Sequence, residues 1–212
     1  MLTPVLEFSL LGFVSLFTMI NPLGVAPIYV TMTSHLGPVE ARRVAVKATL
    51  TAFFILAFFA LTGQFVFRFF SISIDSLRIV GGVLFFGMGA EMLQARLTRT
   101  QHGDEAVTEY VNDVSITPLG IPMICGPGAI TTVILLMSSS PDMAHRIALF
   151  VVMVAVLLIT VLMMLGAKRV LGVLGSSGNK VMMRLMGLIV MVIAVEFFFA
   201  GLTPFVRRML HP

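Results

Sequence analysis

Cysteine is nearly missing from this chain, with Cys125 alone among 212 residues. No internal disulfide can form, and no CxxC pair or His/Cys cluster offers a structural metal site. Tryptophan is absent and tyrosine occurs only at Tyr29 and Tyr110, which leaves little from which to build an aromatic cage for a bulky cationic drug. Charge is scarce too, at 11% of the chain against about 25% in a soluble domain. The balance is basic, with a formal net charge of +4. Yet no Lys/Arg stripe alternates with aromatics, so nucleic acid is not an expected partner. No GxxxxGK[ST] phosphate loop occurs, which removes ATP as an energy source. Nucleophiles lack bases: Ser176 and Ser177 sit in a glycine-rich turn, and Cys125 has neither His nor acid nearby. Neither an enzyme nor a cofactor is expected, and Cys125 reads as a small packing residue. The first seven positions carry no Lys or Arg and no cleavage site follows, so a secretory signal is not expected.

What is abundant is hydrocarbon, 58% of residues with a mean hydropathy of +1.04. Uncharged runs cover 8–34, 48–67, 76–90 broken only by Arg78, 114–141, 147–167, and 185–206 broken only by Glu196. A spanning helix needs about 20 such residues, so an all-α protein crossing the bilayer six times is predicted. With the N-terminus outside, Arg42, Arg43, Lys47, Arg96, Arg99, Lys168, Arg169, Lys180 and Arg184 face the cytoplasm. Only Arg68, Arg78, Arg146, Arg207 and Arg208 then remain outside. The positive-inside bias therefore puts both termini on the outer, periplasmic side. His35, His102, His145 and His211 are expected at the surface, and Glu7 at the outer boundary.

The spans fall into two sets of three. Arg78-Ile-Val-Gly81 leading to Glu91 matches Arg184-Leu-Met-Gly187 leading to Glu196. Ile20-Asn21-Pro22-Leu23-Gly24-Val25-Ala26-Pro27 in the first span matches Pro118 to Pro122 and Cys125-Gly126-Pro127-Gly128-Ala129-Ile130-Thr131-Thr132 in the fourth. Each half has an odd number of spans, so the second must lie upside down relative to the first, an arrangement common in secondary transporters. The organisation expected is a repeat at 1–95, a cytoplasmic linker at 96–113, and an inverted repeat at 114–212.

Proline inside a helix removes a backbone bond, and lipid cannot repair the loss. The first and fourth spans should thus break near the midplane and share a cavity. At each break the next helix begins with free N–H groups and a positive dipole end suited to a carboxylate, while leftover carbonyls suit an ammonium. Candidate binding residues are Asn21, Pro22, Gly24, Ala26, Gly126, Gly128, Ala129, Ile130, Thr131 and Thr132, with bare glycines letting a ligand approach the backbone. One such cluster would read as a packing kink; two matched ones beside Asn21 favour a site. Glu91 and Glu196 are candidates for ion coupling, or else solvated or Arg-paired groups near helix ends.

The Asn21-Pro22-Leu23-Gly24 box with Pro27, the 126–132 box, and the Arg184-Leu185-Met186-Gly187 opening resemble the MarC family over nearly the whole chain. The resemblance implies a bacterial inner-membrane protein with a link to transport of small neutral amino acids such as glycine and alanine. Proton or sodium coupling would supply the energy, and a multidrug efflux protein or channel is the alternative. At Glu196 the chain departs from the neutral glutamine that the resemblance implies.

Overall fold

A computed structural model describes residues 3–34, 36–94, 110–172 and 175–210. Those residues are helical, without strands. The elements are α1 (Pro4–Ile20), α2 (Pro22–Met32), α3 (Pro38–Phe69), α4 (Ile74–Leu93), α5 (Tyr110–Ile124), α6 (Pro127–Ser138), α7 (Met143–Gly172) and α8 (Gly175–Leu210). Prolines open α1, α2, α3 and α6, where the missing N–H is one the helix would leave unpaired anyway. Five stretches are long and apolar enough to cross a membrane, and α5 with α6, bent by 59°, makes a sixth.

Burial follows the logic of a lipid solvent. On α3 the large residues Phe54, Phe58, Leu61 and Phe65 are exposed, and Ala41, Ala45, Ala48, Ala52 and Ala60 are buried. Small residues let helix axes approach closely where water exclusion supplies no driving force. Exposed Arg42, Arg43 and Lys47 crowd the first turns of the same helix.

The most extensive packing between described elements is that of α4 on α8, backbone against backbone. A Cβ on Gly82 would lie 2.7 Å from the Ala194 carbonyl, one on Gly89 2.8 Å from the Gly187 carbonyl, and one on Gly201 2.5 Å from the Asp75 carbonyl. Positions thus rise along α4 as they fall along α8, so the third and sixth spans are antiparallel. The same sequence offset separates Pro22 from Pro127, Pro38 from Met143, Gly82 from Gly187, and Glu91 from Glu196. Contacts between the halves occur in exchanged pairs: α2 with α7 and α6 with α3, α1 with α7 and α5 with α3, α2 with α8 and α6 with α4. These offsets and pairings match the two sets of three spans residue by residue. They also move the expected register by one residue, because Gly82 rather than Gly81 answers Gly187. Gly81 instead faces Pro127.

Of the expected linker, 96–109 lie outside the described residues, as does residue 95 before it. Residues 110–113, expected in the linker, are helical, and the Tyr110 hydroxyl donates to the Met32 carbonyl at 3.0 Å and anchors the first turn of α5. His145 also departs from expectation. It is buried, edge-on to the Phe8 ring, with Nδ1 2.7 Å from the Asp142 carboxylate. His35, His102 and His211 lie outside the described residues.

Candidate functional site

Both expected breaks are present, and they differ in chemistry. In the first span Asn21 takes the left-handed conformation (φ 49°, ψ 66°), which asparagine tolerates because its side chain bonds locally. The Asn21 carbonyl accepts from Gly24 N at 2.9 Å and Val25 N at 3.1 Å, and Oδ1 accepts a further bond from Gly24 N at 3.2 Å. The start of α2 is therefore capped by its own chain. Gly24 is bare for the cap itself, since a Cβ there would lie 2.5 Å from Asn21 Nδ2.

In the fourth span the backbone opens at Thr117 and Ile121, both extended, before the 59° bend into α6. Gly126 occupies the capping position that Asn21 holds in the first half, and it has no side chain with which to cap. Ile130 N bonds back to the Gly126 carbonyl at 3.0 Å, but the positive end of α6 gains no side-chain acceptor. One turn in, Thr131 is 4% exposed, and its hydroxyl is the one buried side-chain polar atom among the described residues without a hydrogen-bond partner. Such groups are normally satisfied, and an exception calls for a missing partner. The neighbouring Thr132 hydroxyl donates to the Gly128 carbonyl at 2.8 Å.

The two breaks line adjacent cavities rather than one. The smaller, about 130 Å³, holds Asn21 and Gly24 against Met88, Met92, Met123 and Phe85, and is almost wholly apolar. The larger, about 350 Å³, is lined by Gly128, Thr131 and Thr132 of α6, Arg78 of α4 and Glu196 of α8. Met19 and Phe197 border both. They meet at Gly128, where a Cβ would lie 2.5 Å from Phe197 Cζ and 2.8 Å from Met19 Sδ. Glycine at 128 thus lets the dividing wall close against the backbone. Phe85 holds the wall from the smaller side, edge to face with Phe197 at 6.1 Å between centroids.

Of the expected residues, Gly128, Thr131 and Thr132 converge on the larger cavity and Asn21 and Gly24 on the smaller. Pro22, Ala26, Gly126, Ala129 and Ile130 border neither; all but Ile130 are buried, and they shape the breaks. At Gly126 a Cβ would lie 2.6 Å from the Pro122 carbonyl and 2.7 Å from Phe85 Cζ. The two carboxylates part company. Both are exposed, but Glu91, in the last turn of α4, borders neither cavity, whereas Glu196, where α8 passes Gly82, borders the larger. Arg78, Met19 and Phe197 were not expected at the site. Arg78 carried a signal, a lone cation in an apolar run; Met19 and Phe197 look like any other lipid-phase residue.

A family model described as MarC family integral membrane protein matches residues 6–206. UPF0056 membrane protein YvbG of Bacillus subtilis is 37% identical over 193 residues, covering 90% of this chain and 92% of its own. A UPF0056 membrane protein of Pyrococcus horikoshii is 37% identical over 203 residues, with 95% and 97% covered. One from Methanocaldococcus jannaschii is 34% identical over 201 residues, with 93% and 97% covered. No solved structure matches.

Proposed function

This chain belongs to the MarC family of integral membrane proteins, and from that premise we propose a secondary transporter for small neutral amino acids of the glycine and alanine type. It works by alternating access across the bacterial inner membrane, with two inverted halves and both termini outside. The observation that carries the reading is the unpartnered Thr131 hydroxyl, buried beside the uncapped start of α6 and opening on the larger cavity. A helix N-terminus attracts an anion, and a hydroxyl with nothing to bond supplies the donor that an incoming carboxylate lacks. The wall of Met19 and Phe197 against Gly128 separates this vestibule from the apolar cavity at Asn21, as a gate between two access states must. The absence of a phosphate loop from the sequence leaves a proton or sodium gradient as the driving force.

The test is uptake of radiolabelled glycine and alanine into proteoliposomes, with and without proton and sodium gradients. Wild type should accumulate both with saturation. Thr131→Val, which keeps shape and removes the hydroxyl, should raise KM about tenfold, the worth of one hydrogen bond to a charged group. Uptake equal to that of empty vesicles across neutral amino acids would refute the assignment. Non-saturating flux would favour a channel, and export of bulky cations an efflux protein.

A further inference from the structure

We propose that the larger cavity reads both charges of its solute, with Glu196 as counter-ion to the ammonium and Arg78 joining Thr131 to hold the carboxylate. This rests on the transporter reading and names the groups that make a zwitterion, rather than an amine or an acid alone, the preferred ligand. The first observation is the isolation of Glu196. Neither a hydrogen bond nor an ion pair to another described residue engages its carboxylate, although it sits in an apolar run of α8 between Ala194 and Phe198, the positions packed on Gly82. Its side chain is exposed on the surface of α8, and an ionised group on an apolar span is costly in lipid unless something of opposite charge joins it. No described residue supplies such a partner, so a ligand is the natural one.

The second observation is the state of Arg78. Among the described residues its one ion pair is to Asp75, at 3.5 Å, and the other Asp75 oxygen is held by Arg208 at 3.1 Å. One carboxylate thus serves two guanidinium groups, and Arg78 retains capacity for a second anion. The fork of an arginine suits a carboxylate. Arg78, Thr131 and Glu196 come from α4, α6 and α8, three different walls of one cavity, and Arg78 and Glu196 are not paired with each other. A cation, an orphan donor and an anion arranged around one cavity are complementary to an α-amino acid. Glu91, the residue at the matching offset, borders neither cavity and has no such part.

The experiment uses the full-length protein in detergent and measures the ligand concentration giving half of the maximal rise in unfolding temperature. The ligands are alanine, ethylamine and propionate, the last two carrying one charge each. Wild type should bind alanine at least tenfold more tightly than either fragment. Glu196→Gln should weaken alanine and ethylamine tenfold or more and leave propionate unchanged. Arg78→Gln should do the reverse, with Arg78→Lys restoring part of the loss. Neutralising a carboxylate within an apolar span removes a burden on the fold, so Glu196→Gln will fold. Equal affinities in Glu196→Gln and wild type, with only gradient-driven accumulation lost, would make Glu196 a carrier of the coupling ion and overturn the proposal. Uptake in proteoliposomes separates the two readings. Charge-selective binding without uptake retains this site and removes the transporter. Uptake with unchanged affinity in both variants retains the transporter and removes the site.

Discussion

Replacing Gly187 by alanine should unseat the α4–α8 seam. The added methyl would lie 2.8 Å from both the Gly89 carbonyl oxygen and Leu93 N and 2.9 Å from Met92 Cβ. Two of the three are backbone atoms, which cannot swing aside, so α4 must retreat bodily by about 0.5 Å, enough to forfeit about a quarter of the dispersion attraction along the contact. Overpacking of this kind costs about 1–3 kcal/mol. The controls are Gly87→Ala and Gly166→Ala, where nothing lies within 4 Å of the new methyl. There the helix preference of alanine over glycine acts alone and adds up to about 1 kcal/mol. At about 2–4 °C per kcal/mol for a chain of this length, thermal unfolding in detergent should place Gly187→Ala several degrees below wild type and both controls slightly above it. Gly89→Ala, whose methyl meets the Gly187 carbonyl at 2.8 Å, should be similarly harmful. The double variant should cost less than the sum, because one retreat accommodates both methyls. If Gly187→Ala tracks Gly87→Ala, the close seam is wrong.

Three further outcomes follow from the site and its surroundings. Asn21→Ala loses a cap and strains the left-handed turn, so it should lower stability by about 1–2 kcal/mol, whereas Asn21→Gly should cost only a few tenths; thermal unfolding separates them. Gly128→Ala pushes on the far ends of Phe197 and Met19, which are flexible, so the protein should fold normally but transport more slowly, and a second change, Phe197→Leu, should recover the uptake rate. The hydrogen bonds from His145 hold the Asp142 carboxyl below the usual carboxylate range. A depressed folded value means stabilisation fully present above about pH 4 and lost as pH falls through that lower value. The gap in unfolding temperature between wild type and Asp142→Ala should therefore be constant near neutrality and close only under more acidic conditions.

Spans and breaks are legible in the chain because both are local: an apolar run declares a helix in lipid, and Pro22 or Pro127 declares a new start whatever surrounds it. The difference between the breaks is partly legible, since Asn21 can cap a helix and Gly126 cannot, but the two boxes look alike until the bonds to Gly24 N are seen. The register of the halves was misread by one residue because Arg78 and Arg184 are conspicuous, while the quantity that sets register is backbone approach at Gly82, Gly89 and Gly187. Arg78 and Glu196 come to one cavity only through antiparallel pairing, which sets the first turn of α4 beside the middle of α8. No single-chain pattern signals that. Nor does any pattern mark Met19 and Phe197 as a wall, in a chain with 16 methionines and 18 phenylalanines.

The length of α3 has a consequence for the surrounding membrane. Its 32 residues reach about 48 Å at 1.5 Å each, and the uncharged part from Ala48 onward alone fills the roughly 30 Å of acyl chains. The preceding turns, with Arg42, Arg43 and Lys47 exposed, therefore stand as a basic collar at headgroup level. Each such cation near an anionic leaflet is worth about 1 kcal/mol, so depleting phosphatidylglycerol or cardiolipin on that side should loosen the protein's seating while leaving its interior packing untouched.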